Sequence, residues 1–212
     1  MRTILKGDNI PLIVESFFGM KKIPDIVITT TSTRFFKEFT RKMSKKSFYL
    51  TKKVSDNVVI IRIPEGISSL PIFKLLGKLN RTVIHLGFCL GVHPSLKPGN
   101  IAVVKSVKNK NKTLGTKFDL CNLKGMGKLV TCISVPHIFY AYENREIISK
   151  HIDIVDMETA FVYRYIKNSI SINIVTDTLY TPFFYLSSKE KTLINTRIKL
   201  VSMKVKRYLH LQ

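Results

Sequence analysis

The stretch Val155-Asp156-Met157-Glu158-Thr159-Ala160 decides the fold. It closes a short apolar strand carrying Ile152 and Ile154, and it opens a helix that runs through Phe161, Val162 and Tyr165. In α/β proteins the mouth of such a strand-to-helix junction is where ligands collect. A carboxylate and a thioether there suit a ligand with a hydroxyl and an apolar face. The following strand, Ser171 to Thr176, ends in Asp177, which places a second carboxylate on the same edge of the sheet.

Working outward, the same alternation repeats along the chain. Asp25 to Thr30 is β-branched and apolar and reads as a buried strand. Thr31-Ser32-Thr33-Arg34 then supplies hydroxyls before a helix from about Phe35 to Met43. Val58 to Ile63 is a strand, Pro64 to Ser69 a turn, and Ile72, Phe73, Leu75, Leu76 and Leu79 mark a helix buried on one side. Thr82 to Gly87 and Ile101 to Val104 are strands, with Gly87, Gly91 and Gly99 at the bends between them; Leu129 to Val135 is another. Lys105 to Lys112 reads as a basic, Asn-rich loop. Residues 1 to 22 read as either a strand or a helix start, and we expect a helix lying on the sheet. Residues 187 to 209 form an amphipathic terminal helix with Ile194, Ile198, Val201, Val205 and Leu209 on one face. Strands alternating with helices imply an α/β fold, in which helices cover both faces of a sheet.

Composition bounds the function. The chain has 212 residues, 45% of them hydrophobic, enough for one core and one domain spanning 1–212. Lys plus Arg number 35 against 14 Asp plus Glu, a net charge of +21 that invites a nucleic-acid reading. The lysines are scattered, with no interleaved aromatic tract, so nucleic acid is not the expected partner. Three cysteines, Cys89, Cys121 and Cys132, form no C-x-x-C pair, which favours a reducing compartment over a disulfide frame or zinc site. No apolar run reaches membrane-spanning length, and the N-terminus lacks a clear signal segment. A soluble cytoplasmic protein with no membrane partner is expected.

At the quoted residues a resemblance becomes specific. Val155–Ala160 followed by Val175-Thr176-Asp177 resembles the signature of the nucleoside phosphorylase and nucleosidase superfamily. Ile84 to Asn100 resembles that family's glycine-rich strand and loop, Gly66-Ile67-Ser68-Ser69 its G-I-G-x-x-S loop, and Ile138-Phe139-Tyr140 its base-stacking segment. The resemblance spans residues 23 to 208 and implies a single domain with a central mixed, twisted sheet flanked by helices, assembled as a homo-oligomer. Lys52 or Lys53 is the candidate contribution to a neighbour's site. No metal or organic cofactor is implied; inorganic phosphate is the expected co-substrate.

The resemblance also implies residue roles. Arg34 matches the arginine of a phosphate loop in which Thr30 stands for the glycine and Ser32 for the proline, and His85 and Phe88 stand where an arginine and a hydroxyl residue hold the anion. Histidine is a weaker, pH-dependent anion ligand and phenylalanine has no donor. Met157 and Glu158 match ribose-binding positions. Phe139 matches the base platform, and Glu143 with Arg145 matches a base-reading pair. A carboxylate beside a guanidinium suits an N–H next to a C=O, the edge of uracil and 6-oxopurines. Asp177 matches the acid that protonates a departing purine, with Lys191 nearest to the family's assisting cation. The expectation is a nucleoside phosphorylase releasing a 6-oxopurine and ribose 1-phosphate. A hydrolase using water is the alternative, and a non-catalytic nucleoside- or nucleic-acid-binding protein of the same fold is the third reading.

Overall fold

Runs of Val, Ile and Thr, which pack well on a pleated surface, build nine strands of one mixed sheet. The computed structural model describes residues 9–40, 50–109, 112–119, 125–137, 139–144, 148, 150–181 and 185–211. β1 (Ile26–Thr30) lies between parallel β3 (Val58–Arg62) and β4 (Thr82–Gly91), and β2 (Leu50–Lys53) pairs antiparallel to β3 at the edge. β4 also runs parallel to β9 (Ser169–Thr178), and β9 pairs antiparallel with β5 (Ile101–Asn109). From β5 the order continues through parallel β7 (Lys128–Ser134) to parallel β8 (Ile154–Asp156). β8 then pairs back onto β4 through Leu90↔Val155 and Gly91↔Ile154.

The sheet therefore closes on itself: within the expected mixed sheet, β4, β9, β5, β7 and β8 form a ring. β1 leaves β4 at Leu86, freeing the edge that β8 takes, and a register shift at Cys89/Leu90 bends β4 where the ring closes. This brings the ends of β4, β7, β8 and β9 to one mouth.

Helices cover both faces. Ile10–Phe18, Leu70–Lys78 and Thr159–Tyr165 pack one core, with Phe18, Ile72, Phe73, Leu76 and Val162 essentially inaccessible. Thr33–Phe39 and Ser188–Tyr208 pack the other, around Phe35, Phe36, Ile194, Ile198 and Val201. The N-terminal segment is thus the expected helix. Its C-terminus turns on Gly19 in the left-handed region, φ 65°.

Two sequence expectations need correction. Of the stretch read as a loop, Lys105 to Asn109 continue β5 and pair with β6 (Lys112–Gly115), Val107 being wholly buried opposite Leu114. Gly87 and Gly91 lie within β4 rather than at bends, and only Gly99 has the positive φ, 86°. β2 had no counterpart in the sequence reading. Cys121 lies outside the described residues; Cys89 and Cys132 are buried and unpaired in disulfides. Among the described residues, no helix is long and apolar enough to cross a membrane.

Gly77 sets the spacing between two helices. A Cβ there would meet the Tyr165 carbonyl oxygen at 2.1 Å, inside contact distance with backbone. Gly→Ala within a helix normally stabilises by about 0.5–1 kcal/mol. Here the sign reverses: Gly77→Ala is expected to destabilise by about 1–3 kcal/mol, read from urea unfolding, because the Thr159–Tyr165 helix must shift outward.

Candidate active site

The turn that carries Met157 and Glu158 is held from below by Asp156. This carboxyl, 2% exposed, ends β8 and takes a hydrogen bond from the Ser134 hydroxyl at 2.5 Å. The Thr159 N–H donates to its oxygens at 3.2 and 3.3 Å, the Thr159 hydroxyl also donates, and Asn173 Nδ2 donates at 3.4 Å. Ser134 Oγ in turn accepts the Ala160 N–H at 2.8 Å. The first N–H groups of the Thr159–Tyr165 helix, which have no intrahelical partner, are thereby satisfied. Burial pushes the Asp156 carboxyl up, opposed by the hydrogen bonds from Ser134 and Thr159.

Glu158, 6% exposed, is fixed at its tip: the Gly66 N–H donates to Oε1 at 2.6 Å. Gly66 has φ 60°, which favours glycine, and a Cβ on it would meet the Met157 methyl at 2.9 Å and displace the tip of that side chain. The Gly66–Ser69 turn, closed by the Ser69 hydroxyl on the Gly66 carbonyl at 2.7 Å, thus delivers a backbone donor to the Glu158 carboxyl. Glu158 is pushed up to about 8, first by burial and then by neighbouring Asp156, against the Gly66 N–H, which favours its charged form.

Asp177, 8% exposed, stands near the end of β9 opposite Leu90. Its Oδ1 accepts the Thr176 hydroxyl at 2.5 Å and its Oδ2 the Tyr142 hydroxyl at 3.2 Å. Burial raises its pKa, while both hydrogen bonds pull the other way. Lys191, its expected partner, is exposed in the first turn of the Ser188–Tyr208 helix and makes no ion pair with it. Neutral donors hold Asp177 in place of a cation. Sequence reading missed Tyr142 and Thr176, although Tyr142 stands one helical turn beyond Phe139 and Thr176 directly precedes Asp177.

The residues expected to bind an anion are engaged elsewhere. Thr30 is fully buried and its hydroxyl accepts the Ser32 N–H at 3.1 Å. Ser32 caps the Thr33–Phe39 helix, accepting from the N–H groups of Arg34 and Phe35. Arg34 is exposed, with Nη1 donating to Asn195 Oδ1 at 2.9 Å. His85 is 0% exposed: Nδ1 lies 3.1 Å from the Thr29 hydroxyl, and the ring meets Phe73 edge-on at 6.0 Å. Burial alone pulls it down to about 4, so it is neutral near physiological pH and lends an anion no positive charge. Phe88 points to the opposite face of β4, where its ring packs on Phe35 at 5.6 Å. His85 and Phe88 therefore do not line one anion site.

The helix Phe139–Glu143 carries the base candidates. Phe139 is 63% exposed and Glu143 is exposed four residues on, so both share a helical face, while Tyr142 turns inward to Asp177. Arg145 lies outside the described residues. Lys53 pairs with Asp56 at 2.6 Å on the surface, and Lys52 is half-buried.

The raised Glu158 carboxyl makes stability pH-dependent. With its folded pKa above the unfolded value, its stabilising contribution is complete below about 4.5 and is lost as pH rises toward about 8. Across that window the wild type is expected to lose stability relative to Glu158→Gln by up to about 1.4 kcal/mol per pH unit in urea titrations. A difference constant with pH would place Glu158 at its ordinary pKa.

No protein-family model matches the chain, and no curated protein matches it in sequence. Solved structures do. The chain superposes on 5'-methylthioadenosine/S-adenosyl homocysteine nucleosidase of Campylobacter jejuni with TM-score 0.70 at 12% identity, over 88% of this chain and 99% of that one. It matches a futalosine hydrolase mutant of Helicobacter pylori with TM-score 0.69 at 10% identity, over 89% and 99%. It matches uridine phosphorylase of Schistosoma mansoni with TM-score 0.69 at 15% identity, over 94% and 93%. Hydrolases and phosphorylases stand side by side among these structures. The ring-closed mixed sheet flanked by helices is thus the fold that this chain shares with those nucleosidases, hydrolases and phosphorylases.

Proposed function

We propose that this chain cleaves the N-glycosidic bond of a purine nucleoside, with water as the acceptor. The observation that carries the reading is the pair of buried carboxyls, Glu158 just beyond β8 and Asp177 on β9, the two strands that pair with the last residues of β4, both held by neutral donors. Cleavage builds positive charge on the sugar and negative charge on the departing base. Asp177, whose pKa burial raises, is suited to protonate a purine at N7, typically a gain of about 10²–10⁴-fold. Glu158 accepts from ribose hydroxyls, and Met157, whose methyl faces Gly66, packs against the sugar. Phe139 offers an exposed ring for the base and Glu143 an acceptor for its N–H, which with Arg145 favours a 6-oxopurine.

Water is favoured over phosphate because the anion-side residues are occupied. The Thr30 and Ser32 hydroxyl oxygens accept backbone N–H groups, His85 is buried and neutral, and Phe88 packs on Phe35 and has no donor to offer. An oxocarbenium-like sugar needs only a weak nucleophile. Phosphorolysis keeps one supporting observation, the exposed Arg34 guanidinium after β1.

Base release from inosine and guanosine, followed by chromatography with and without phosphate, tests both parts. The expected outcome is equal release in the two conditions, giving free ribose, and a fall of about 10²–10⁴-fold in kcat for Asp177→Asn. Release that requires phosphate and yields ribose 1-phosphate would replace water with phosphate. An unimpaired Asp177→Asn variant would remove Asp177 from the chemistry.

A further inference from the structure

The Phe139–Glu143 helix carries two kinds of group. Phe139 and Glu143 face outward, while Tyr142, 3.2 Å from Asp177 Oδ2, faces the acid and packs beside Leu90, Val135 and Val155. Among the described residues, its hydroxyl links the helix proposed to read the base to the residue proposed to protonate it. Thr176, on β9 itself, holds the other oxygen. With each oxygen taking one donor, the carboxyl plane of Asp177 is fixed.

We propose that Tyr142 is the positioning residue for Asp177: it aims the carboxyl at the leaving base and couples that aim to the seating of the base on the Phe139–Glu143 helix. The inference rests on the purine-cleavage reading. Tyr142 occupies the role expected of Lys191, and the exchange of a cation for a neutral hydroxyl has a chemical consequence. An ammonium beside Asp177 would hold it ionised; a phenol orients it while leaving it able to keep its proton. The titratable groups that bear on Asp177 are Tyr142 from the helix and the buried Cys89 thiol from β4, while Lys191 and Glu190 of the terminal helix make no ion pair with it. Because burial also raises the Tyr142 phenol, it stays a donor throughout the working pH range.

Tyr142→Phe keeps the ring and removes the hydroxyl, and Tyr185→Phe, at a 79%-exposed position outside that helix, is the control. Two readouts are taken on the full chain: kcat and KM against pH with inosine, and the Asp177 pKa by carbon NMR of side-chain-labelled protein. Tyr142→Phe is expected to lower kcat about tenfold, the size of one hydrogen bond, with KM unchanged. The Asp177 pKa should rise, moving the alkaline limb of the kcat profile to higher pH, because the lost bond favoured the carboxylate. Tyr185→Phe should change neither. An unchanged profile and pKa in Tyr142→Phe overturn the proposal, as does a rise in KM with no change in pKa, which marks a structural role only. If the pKa shifts while the wild type releases no base, the positioning contact stands and the purine-cleavage reading fails.

Discussion

The buried Asp156 carboxyl is the contact on which the site depends. It has no cationic partner among the described residues and is satisfied by Ser134 of β7, Thr159 of the following helix and Asn173 of β9. Removing a charged or polar group from water without such bonds costs several kcal/mol, so these elements are committed to one arrangement. Closure of the ring between β8 and β4 and the position of the Met157-Glu158 turn both follow from it. Asn173 Oδ1 and His85 Nε2 remain unpaired, each facing the missing side chain of Gly87, where a Cβ would lie 2.6 and 3.1 Å from them. The polar interior of the ring therefore extends from Asp156 toward Thr29.

Above this base the site is built from neutral donors around acids. A backbone N–H holds Glu158, and a phenol and a threonine hold Asp177. Burial favours the protonated carboxyl in both, and no arginine or lysine offsets it. Such a site suits proton donation to a leaving base and binding of sugar hydroxyls, and it draws no anion inward. The terminal helix instead carries Lys189, Lys191, Arg197, Lys199, Lys204, Lys206 and Arg207 off its buried face of Ile194, Ile198, Val201 and Val205.

Much of this was legible in the sequence, for physical reasons. The Val155–Ala160 junction marked both the strand end and the helix start, because Asp and Thr are the residues that satisfy free N–H groups there. The apolar spacing of the terminal helix gave its buried face. Ring closure was not legible: it rests on a three-residue strand and a bulge, neither of which has a local signature. The β5–β6 hairpin was hidden by its Lys and Asn content, since the pairing partner, not composition, decides an edge strand. His85 was legible and misassigned. Alternation along β4 puts it with Val83, Gly87 and Cys89, and puts Phe88 with Ile84 and Leu86 on the other face. Tyr142 was overlooked because aromatic residues at helical spacing read first as core, and only a contact across 35 positions shows its hydroxyl at work.

The central claim is that Glu158 and Asp177 act on one nucleoside from β8 and β9, the two strands that flank β4 in the ring. A crystal structure with a 6-oxopurine base and ribose bound tests it most directly. The account predicts the ribose hydroxyls on Glu158, N7 of the base within hydrogen-bond reach of Asp177, and the ring against Phe139. A base seated away from Asp177, or a sugar that leaves Glu158 bonded to Gly66 alone, would contradict it.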